Sequence, residues 1–206
     1  MAAVLTLAML SNDVYAPIGI GAGGFRRVVD RTLDKWNNTG SSFFGAAYTG
    51  GATGIIAFRG SADLQDWTDA DVDIAMARTP ISQTGDAFAF FNSAKQILVA
   101  KGARRIIVTG HSLGGGLTQL IAAHITTFPV VGVTFNAPCM AGFAGPVRIS
   151  TANSNAVYNY RADRDPVSLK GTHIGRHPVS VAGGGMHPIG PLINALSTGG
   201  TGMIHH

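Results

Sequence analysis

A serine stands between two glycines in the run Gly110-His111-Ser112-Leu113-Gly114. A serine hydroxyl is a weak nucleophile, and this spacing addresses its exposure. Glycine two residues to either side lets a strand turn so sharply into a helix that the hydroxyl is lifted above the sheet edge. A β-carbon at either place would strike neighbouring backbone. The flanks fit the same turn. Residues 106–109 are a short β-branched run of the kind that fills a buried parallel strand, and Leu117, Leu120, Ile121 and His124 recur at helical spacing beyond it. A helix that begins at the serine leaves free N–H groups and a positive dipole end where an oxyanion would form. The chemistry expected of such a turn is acyl transfer through a serine ester.

That chemistry needs a base, and the base needs an orienting acid. In α/β-hydrolases the chain order is serine, acid, histidine. Asp163 and Asp165 are the only acids after Ser112. Asp165 precedes Pro166, which stiffens the turn and biases the aspartate to extended backbone, so it is the expected acid. Asp163 is expected to pair with an arginine. Five histidines follow: His173, His177, His187, His205 and His206. His187 follows a triple glycine and opens the last predicted helix, which suits a side chain aimed back at the serine. It is the expected base, with His177 and His173 as alternatives and the last two placed at a frayed end. His111 reads as a buried, hydrogen-bonded turn residue and His124 as a helix-face residue. Two donors should face the oxyanion: the N–H of Leu113 and, from the end of an earlier strand, Ser61, which could also cap the next helix.

The elements that must position these groups can be read in order. Residues 2–10 predict a buried N-terminal helix; no Lys or Arg precedes the apolar run, so a secretory leader is weakly supported. Residues 18–24 are a glycine-rich loop, and 19–24 within it lack the strand and helix that a nucleotide loop requires. Residues 25–36 are mixed. Strands are expected over 41–49 and 53–58, joined as a hairpin at Gly50-Gly51. Five acids follow: Asp63, Asp66, Asp69, Asp71 and Asp73. They do not match calcium-loop spacing and read as solvated positions and a helix cap. Residues 79–84 read as turn or loop, and 86–100 as a helix with Phe90, Ala94, Ile97 and Leu98 on its apolar stripe. Beyond the strand-to-helix turn at Ser112, the nucleophile elbow, come strands over 130–135 and 155–160, a loop with a poor helix over 141–154, an edge strand over 179–181 and a closing helix over 189–196. This alternation predicts a single α/β-hydrolase domain over 1–206, with a mostly parallel sheet and helices on both faces.

Composition narrows the function. The 206 residues are 46% hydrophobic and 13% charged, with a net charge of +4. No apolar run reaches the roughly 18–20 residues needed to span a bilayer. The single cysteine, Cys139, rules out an internal disulfide. The mild positive charge could favour anionic membrane surfaces, and no Lys/Arg run, zinc spacing or nucleic-acid motif is present.

At Ala57-Phe58-Arg59-Gly60-Ser61 with Asp66-Trp67 downstream, the chain resembles the class 3 lipase family, the fungal-lipase-like α/β-hydrolases. Residues 108–115, Thr134-Phe135-Asn136-Ala137-Pro138 and Asp165-Pro166-Val167 carry the same resemblance. It implies Ser112, Asp165 and His187 as a triad, Ser61 and Leu113 as oxyanion donors, and no metal or organic cofactor. It also implies a lid over residues 62–69, with Leu64 and Trp67 facing lipid, although core packing would suit both equally. The chain is short for the family, lacks its common disulfides and matches it loosely around His187. The expected activity is serine carboxylester hydrolysis of lipid or other apolar acyl esters, with transient contact at a lipid interface. The alternatives are a phospholipase acting on membranes and a non-catalytic lipid- or partner-binding module.

Overall fold

The computed structural model describes residues 3–38, 40–61, 80–124, 128–143 and 147–199. Helix α1 (Val4–Asp13) opens the chain. Strand β1 (Arg26–Arg27) and the short α2 (Arg31–Asp34) resolve the mixed segment into both types, and a 3₁₀ turn over Lys35–Asn38 follows. The hairpin β2 (Gly45–Gly50) and β3 (Thr53–Phe58) pairs Gly50 with Thr53, and Gly51 takes φ 62° in its two-residue turn. Helix α3 (Pro80–Ala100) leads to β4 (Arg105–His111), α4 (Leu113–His124) and β5 (Val130–Phe135). The short α5 (Thr151–Ser154), β6 (Val157–Ala162), β7 (Val179–Val181) and α6 (Ile189–Ser197) complete the order.

Several boundaries differ from the sequence reading. Residues 79–84 were expected to be a turn or loop, yet α3 begins at Pro80. Proline is well placed in a first helical turn, where its missing N–H has no acceptor to lose and its φ is already helical. Strand β6 also begins two residues later than expected, because α5 and the turn after it occupy the chain up to Ala156.

Among the described residues, seven strands lie in simple chain order, β1 to β7. Strands β1, β2 and β3 pair antiparallel; β3 through β7 pair parallel. Parallel strands that advance in one direction, joined by right-handed crossovers, put every crossover helix on the same face. The two core clusters show this. Ile56, Phe58, Ile106 and Val108 pack with Phe90, Phe91 and Leu98 of α3 and Leu117 and Ile121 of α4. The alternate residues Ile55, Ala57, Ile107, Val133 and Phe135 pack on the opposite face with Leu7 and Leu10 of α1 and Ile189 and Leu192 of α6. The expected helices on both faces are therefore present, but the second face is covered by the first and last helices rather than by crossovers.

Ten residues of isolated helix are marginal in water. Leu7, Leu10 and Val14 are almost wholly buried, and such burial contributes roughly 1.5–3 kcal/mol per large side chain. Packing, not propensity, holds α1 in place. A buried polar stitch adds register: the Ser11 hydroxyl meets Thr109 Oγ1 at 2.9 Å, and Thr109 donates to the Val133 carbonyl at 2.8 Å. Among the described residues, no helix is long and apolar enough to cross a membrane.

Candidate active site

In an open parallel sheet, ligands sit beyond the carboxyl ends of the strands. Here five successive strand ends meet at one place. Ser61 follows β3, Ser112 follows β4, Asn136 follows β5, Asp165 follows β6 and His187 follows β7.

The elbow is built by close approach. A β-carbon on Gly110 would collide with the backbone of Gly114, and one on Gly114 with the Phe58 carbonyl. Ser112 sits at φ 56°, a left-handed backbone that non-glycine residues enter at a cost of about 1–3 kcal/mol. The surroundings enforce it: the Ser112 N–H donates to the Phe135 carbonyl at 3.0 Å, and Gly115 and Gly116 donate back to the Ser112 carbonyl.

The hydroxyl then meets the expected partners. Ser112 Oγ lies 2.9 Å from His187 Nε2, and His187 Nδ1 lies 2.8 Å from Asp165 Oδ1. Asp165 accepts only, so Nδ1 carries the imidazole proton and Nε2 is free to accept from Ser112. Asp165 is fully buried. An isolated buried carboxylate would be costly, but the N–H groups of Val167 and Ser168 donate to its two oxygens at 3.2 and 3.1 Å. Ser112 is itself 2% exposed.

The other histidines have different places. His173 Nε2 donates to the Ser168 carbonyl at 3.0 Å, its Nδ1 faces Gln119 Nε2 at 3.3 Å, and burial lowers its pKa. It braces the loop that carries Asp165. His177 is exposed beside the Pro178 carbonyl. His124 Nδ1 donates to the Arg148 carbonyl and its ring packs edge-on against Phe88. Asp163 is exposed and accepts from the Gly183 N–H at 3.4 Å; among the described residues, the arginine pairing expected of it is not formed.

Leu113 opens α4, and the first N–H groups of a helix have no acceptor within it. The loop that carries Ser61 presses directly on the elbow: a β-carbon on Gly60 would lie 2.8 Å from the His111 carbonyl and 3.0 Å from Ser112 Cβ. Leu64, Trp67, the acids Asp63 to Asp73 and the whole expected lid lie outside the described residues, as do His205 and His206.

Two residues that sequence reasoning did not assign a role also reach the site. Asn136, at φ 48°, donates through Nδ2 to the carbonyls of Met186 (3.2 Å) and His187 (2.8 Å) and accepts the Ala162 N–H at 2.7 Å. An asparagine between a strand and a proline-containing turn was a visible signal, since asparagine tolerates left-handed backbone. Tyr15, just past α1, has no such local signal. Its hydroxyl accepts the Gly60 N–H at 3.0 Å and lies 3.1 Å from His111 Nδ1.

Comparison with known proteins bears on the family and the fold. The extracellular phospholipase A1 of Serratia liquefaciens is 36% identical over 138 residues, which is 64% of this chain and 40% of the relative. A triacylglycerol lipase from Penicillium expansum superposes with a TM-score of 0.56 at 20% identity, over 87% of this chain and 79% of that one. A mutant form of MDLA from Penicillium cyclopium gives 0.52 at 17% identity, over 86% and 76%. These two show that the fold is that of α/β-hydrolase lipases. Residues 6–199 match the Tle-like phospholipase domain, a phospholipase-like family, and the chain belongs to it.

Proposed function

We propose that this chain is a serine carboxylester hydrolase that cleaves acyl esters of lipids, with Ser112 as nucleophile. The observation that carries the reading is the unbroken hydrogen-bonded line from Ser112 Oγ through His187 to Asp165, at 2.9 and 2.8 Å. His187 Nε2 takes the hydroxyl proton as Ser112 attacks the ester carbonyl. Asp165 holds the imidazole tautomer and stabilises the imidazolium. The N–H of Leu113 and the N–H or hydroxyl of Ser61 bind the tetrahedral oxyanion. His187 then returns the proton to the departing alcohol, and water, deprotonated by the same imidazole, releases the acid from the acyl-enzyme.

Phospholipids are the favoured substrates. The family is phospholipase-like, and the relative that matches 64% of this chain is a phospholipase A1. Hydrolysis of phosphatidylglycerol or phosphatidylethanolamine vesicles, set against tributyrin, measures that preference. Ser112→Ala should abolish both activities without unfolding the protein, and a fluorophosphonate probe should label the wild type at Ser112 alone. Retained hydrolysis in Ser112→Ala would overturn Ser112 as the nucleophile. Absence of labelling in folded wild type that hydrolyses neither substrate would favour a non-catalytic lipid-binding module.

A further inference from the structure

His187 is held from two sides, and only one of them belongs to the reaction as written above. Its imidazole meets Ser112 and Asp165, while its backbone carbonyl accepts from His111 Nε2 at 2.8 Å. That contact belongs to a longer chain. A carbonyl can only accept, so His111 Nε2 carries the proton. A neutral imidazole then presents Nδ1 as an acceptor, and Tyr15 must donate to it across 3.1 Å. The same Tyr15 oxygen accepts the Gly60 N–H at 3.0 Å. Every donor in the sequence Gly60 N–H, Tyr15 O–H, His111 Nε2–H has one acceptor, and the line ends on the base.

We infer that Tyr15 and His111 form a neutral strut that fixes the oxyanion loop and the base loop relative to each other, which makes both of them positioning residues for the hydrolysis. The ends of the strut are the two groups that must be in register for the reaction. Gly60 immediately precedes Ser61, and a β-carbon on it would press on Ser112. The strut starts on the face covered by α1, because His111 follows Ile107 and Thr109 on the same side of β4. The carboxyl end of α1 thus delivers Tyr15 to a site formed otherwise from strand ends.

The surroundings suit an uncharged link. His111 is buried, and burial, followed by the facing His187 imidazole, lowers its pKa to about 3; the His187 carbonyl and the Asp165 charge oppose this only partly. Burial raises the Tyr15 phenol to about 12, against the opposing Gly60 hydrogen bond and the Arg59 charge. Were His111 protonated, both its nitrogens would donate. The Tyr15 oxygen would then receive two donors, and its own proton would lose its acceptor.

The strut rests on Ser112 being the nucleophile, and the experiment separates the two. Wild type, Ser112→Ala, Tyr15→Phe, His111→Gln and His111→Leu are compared by kcat and KM on a p-nitrophenyl ester and by thermal midpoint. Glutamine can donate to the His187 carbonyl and accept from Tyr15; leucine can do neither. A misplacement near 1 Å costs on the order of 10²-fold, so Tyr15→Phe and His111→Leu should lose about 10- to 100-fold in kcat with KM little changed. His111→Gln should exceed His111→Leu by about tenfold. Folded Tyr15→Phe with wild-type kcat, or equal loss in the glutamine and leucine variants, would overturn the strut. An active Ser112→Ala would overturn the nucleophile instead. The wild type gives a test that needs no variant to fold: nitrogen-15 spectra of its histidines should show His111 as the Nε2–H tautomer from pH 8 to pH 5. A Nδ1–H tautomer, or titration of His111 near 6, would overturn the proposal.

Discussion

Asn136 Nδ2 donates to the His187 carbonyl at 2.8 Å, so the end of β5 grips the backbone of the residue that follows β7. The same side chain accepts the buried N–H of Ala162 at 2.7 Å. It therefore ties three strand ends together from a left-handed position.

Asn136→Gly isolates the side chain, because glycine accepts the backbone without strain. The buried Ala162 N–H loses its acceptor and the His187 loop loses one anchor, a cost of about 2–3 kcal/mol. Urea denaturation should show the lower midpoint, and kcat should fall in the folded protein. An unchanged midpoint would mean that the side chain holds nothing.

Ser61→Ala tests the oxyanion donor without disturbing the elbow. Loss of one such donor costs on the order of 10²-fold in kcat. If the hydroxyl donates, kcat should fall by about that factor with KM near the wild-type value. A kcat unchanged by the substitution assigns the donation to the backbone N–H.

Two glycines should respond in opposite directions to alanine. Gly114→Ala drives a β-carbon into the Phe58 carbonyl, and backbone cannot swing aside as a flexible side chain can. The substitution should cost more than about 2 kcal/mol and abolish ester hydrolysis. Gly85, exposed within α3, has open space around its α-carbon. Gly85→Ala should raise stability by about 0.5–1 kcal/mol. Thermal midpoints of the pair check both signs.

Acid should destabilise the fold through its neutral histidines. Burial is the largest cause lowering both His111, from 6.5 to about 3, and His173. Between these values the unfolded chain binds a proton that the folded chain refuses. The contribution is fully present above pH 6.5 and is lost as pH falls toward 3. For His111 the slope is on the order of 1 kcal/mol per pH unit. Urea midpoints between pH 7 and pH 4 should fall more steeply in wild type than in His111→Gln. Parallel curves would contradict it.

Much of the site was legible because its chemistry has a fixed chain order. Only two acids follow Ser112, and Gly110 and Gly114 mark a turn whose crowding has one common use. Leu117 and Leu120 announced α4, although every residue from Leu113 to Ala123 is buried and the helix has no polar face. The start of α3 was missed because Pro80 and Thr84 resemble turn residues, while their helical state comes from continuity with the buried stripe of Phe90 and Leu98. Tyr15 was illegible for a different reason. Its partners, Gly60 and His111, lie 45 and 96 residues away, and no local pattern records a contact that exists only once α1 docks. Asn136 stood inside a quoted motif, yet its grip on His187 depends on β5, β6 and β7 being neighbours.

The arrangement of strands in simple order has a consequence for biosynthesis. Helices α3 and α4 roof one side of the sheet as soon as each crossover is made. Among the described residues, α1 is the one helix on the other side until residues 189–197 emerge, so Phe135, Ala162 and Val181 wait for Ile189 and Leu192 to cover them. A nascent chain paused after β7 would carry a half-open, greasy sheet, and the last helix is what makes it safe to release.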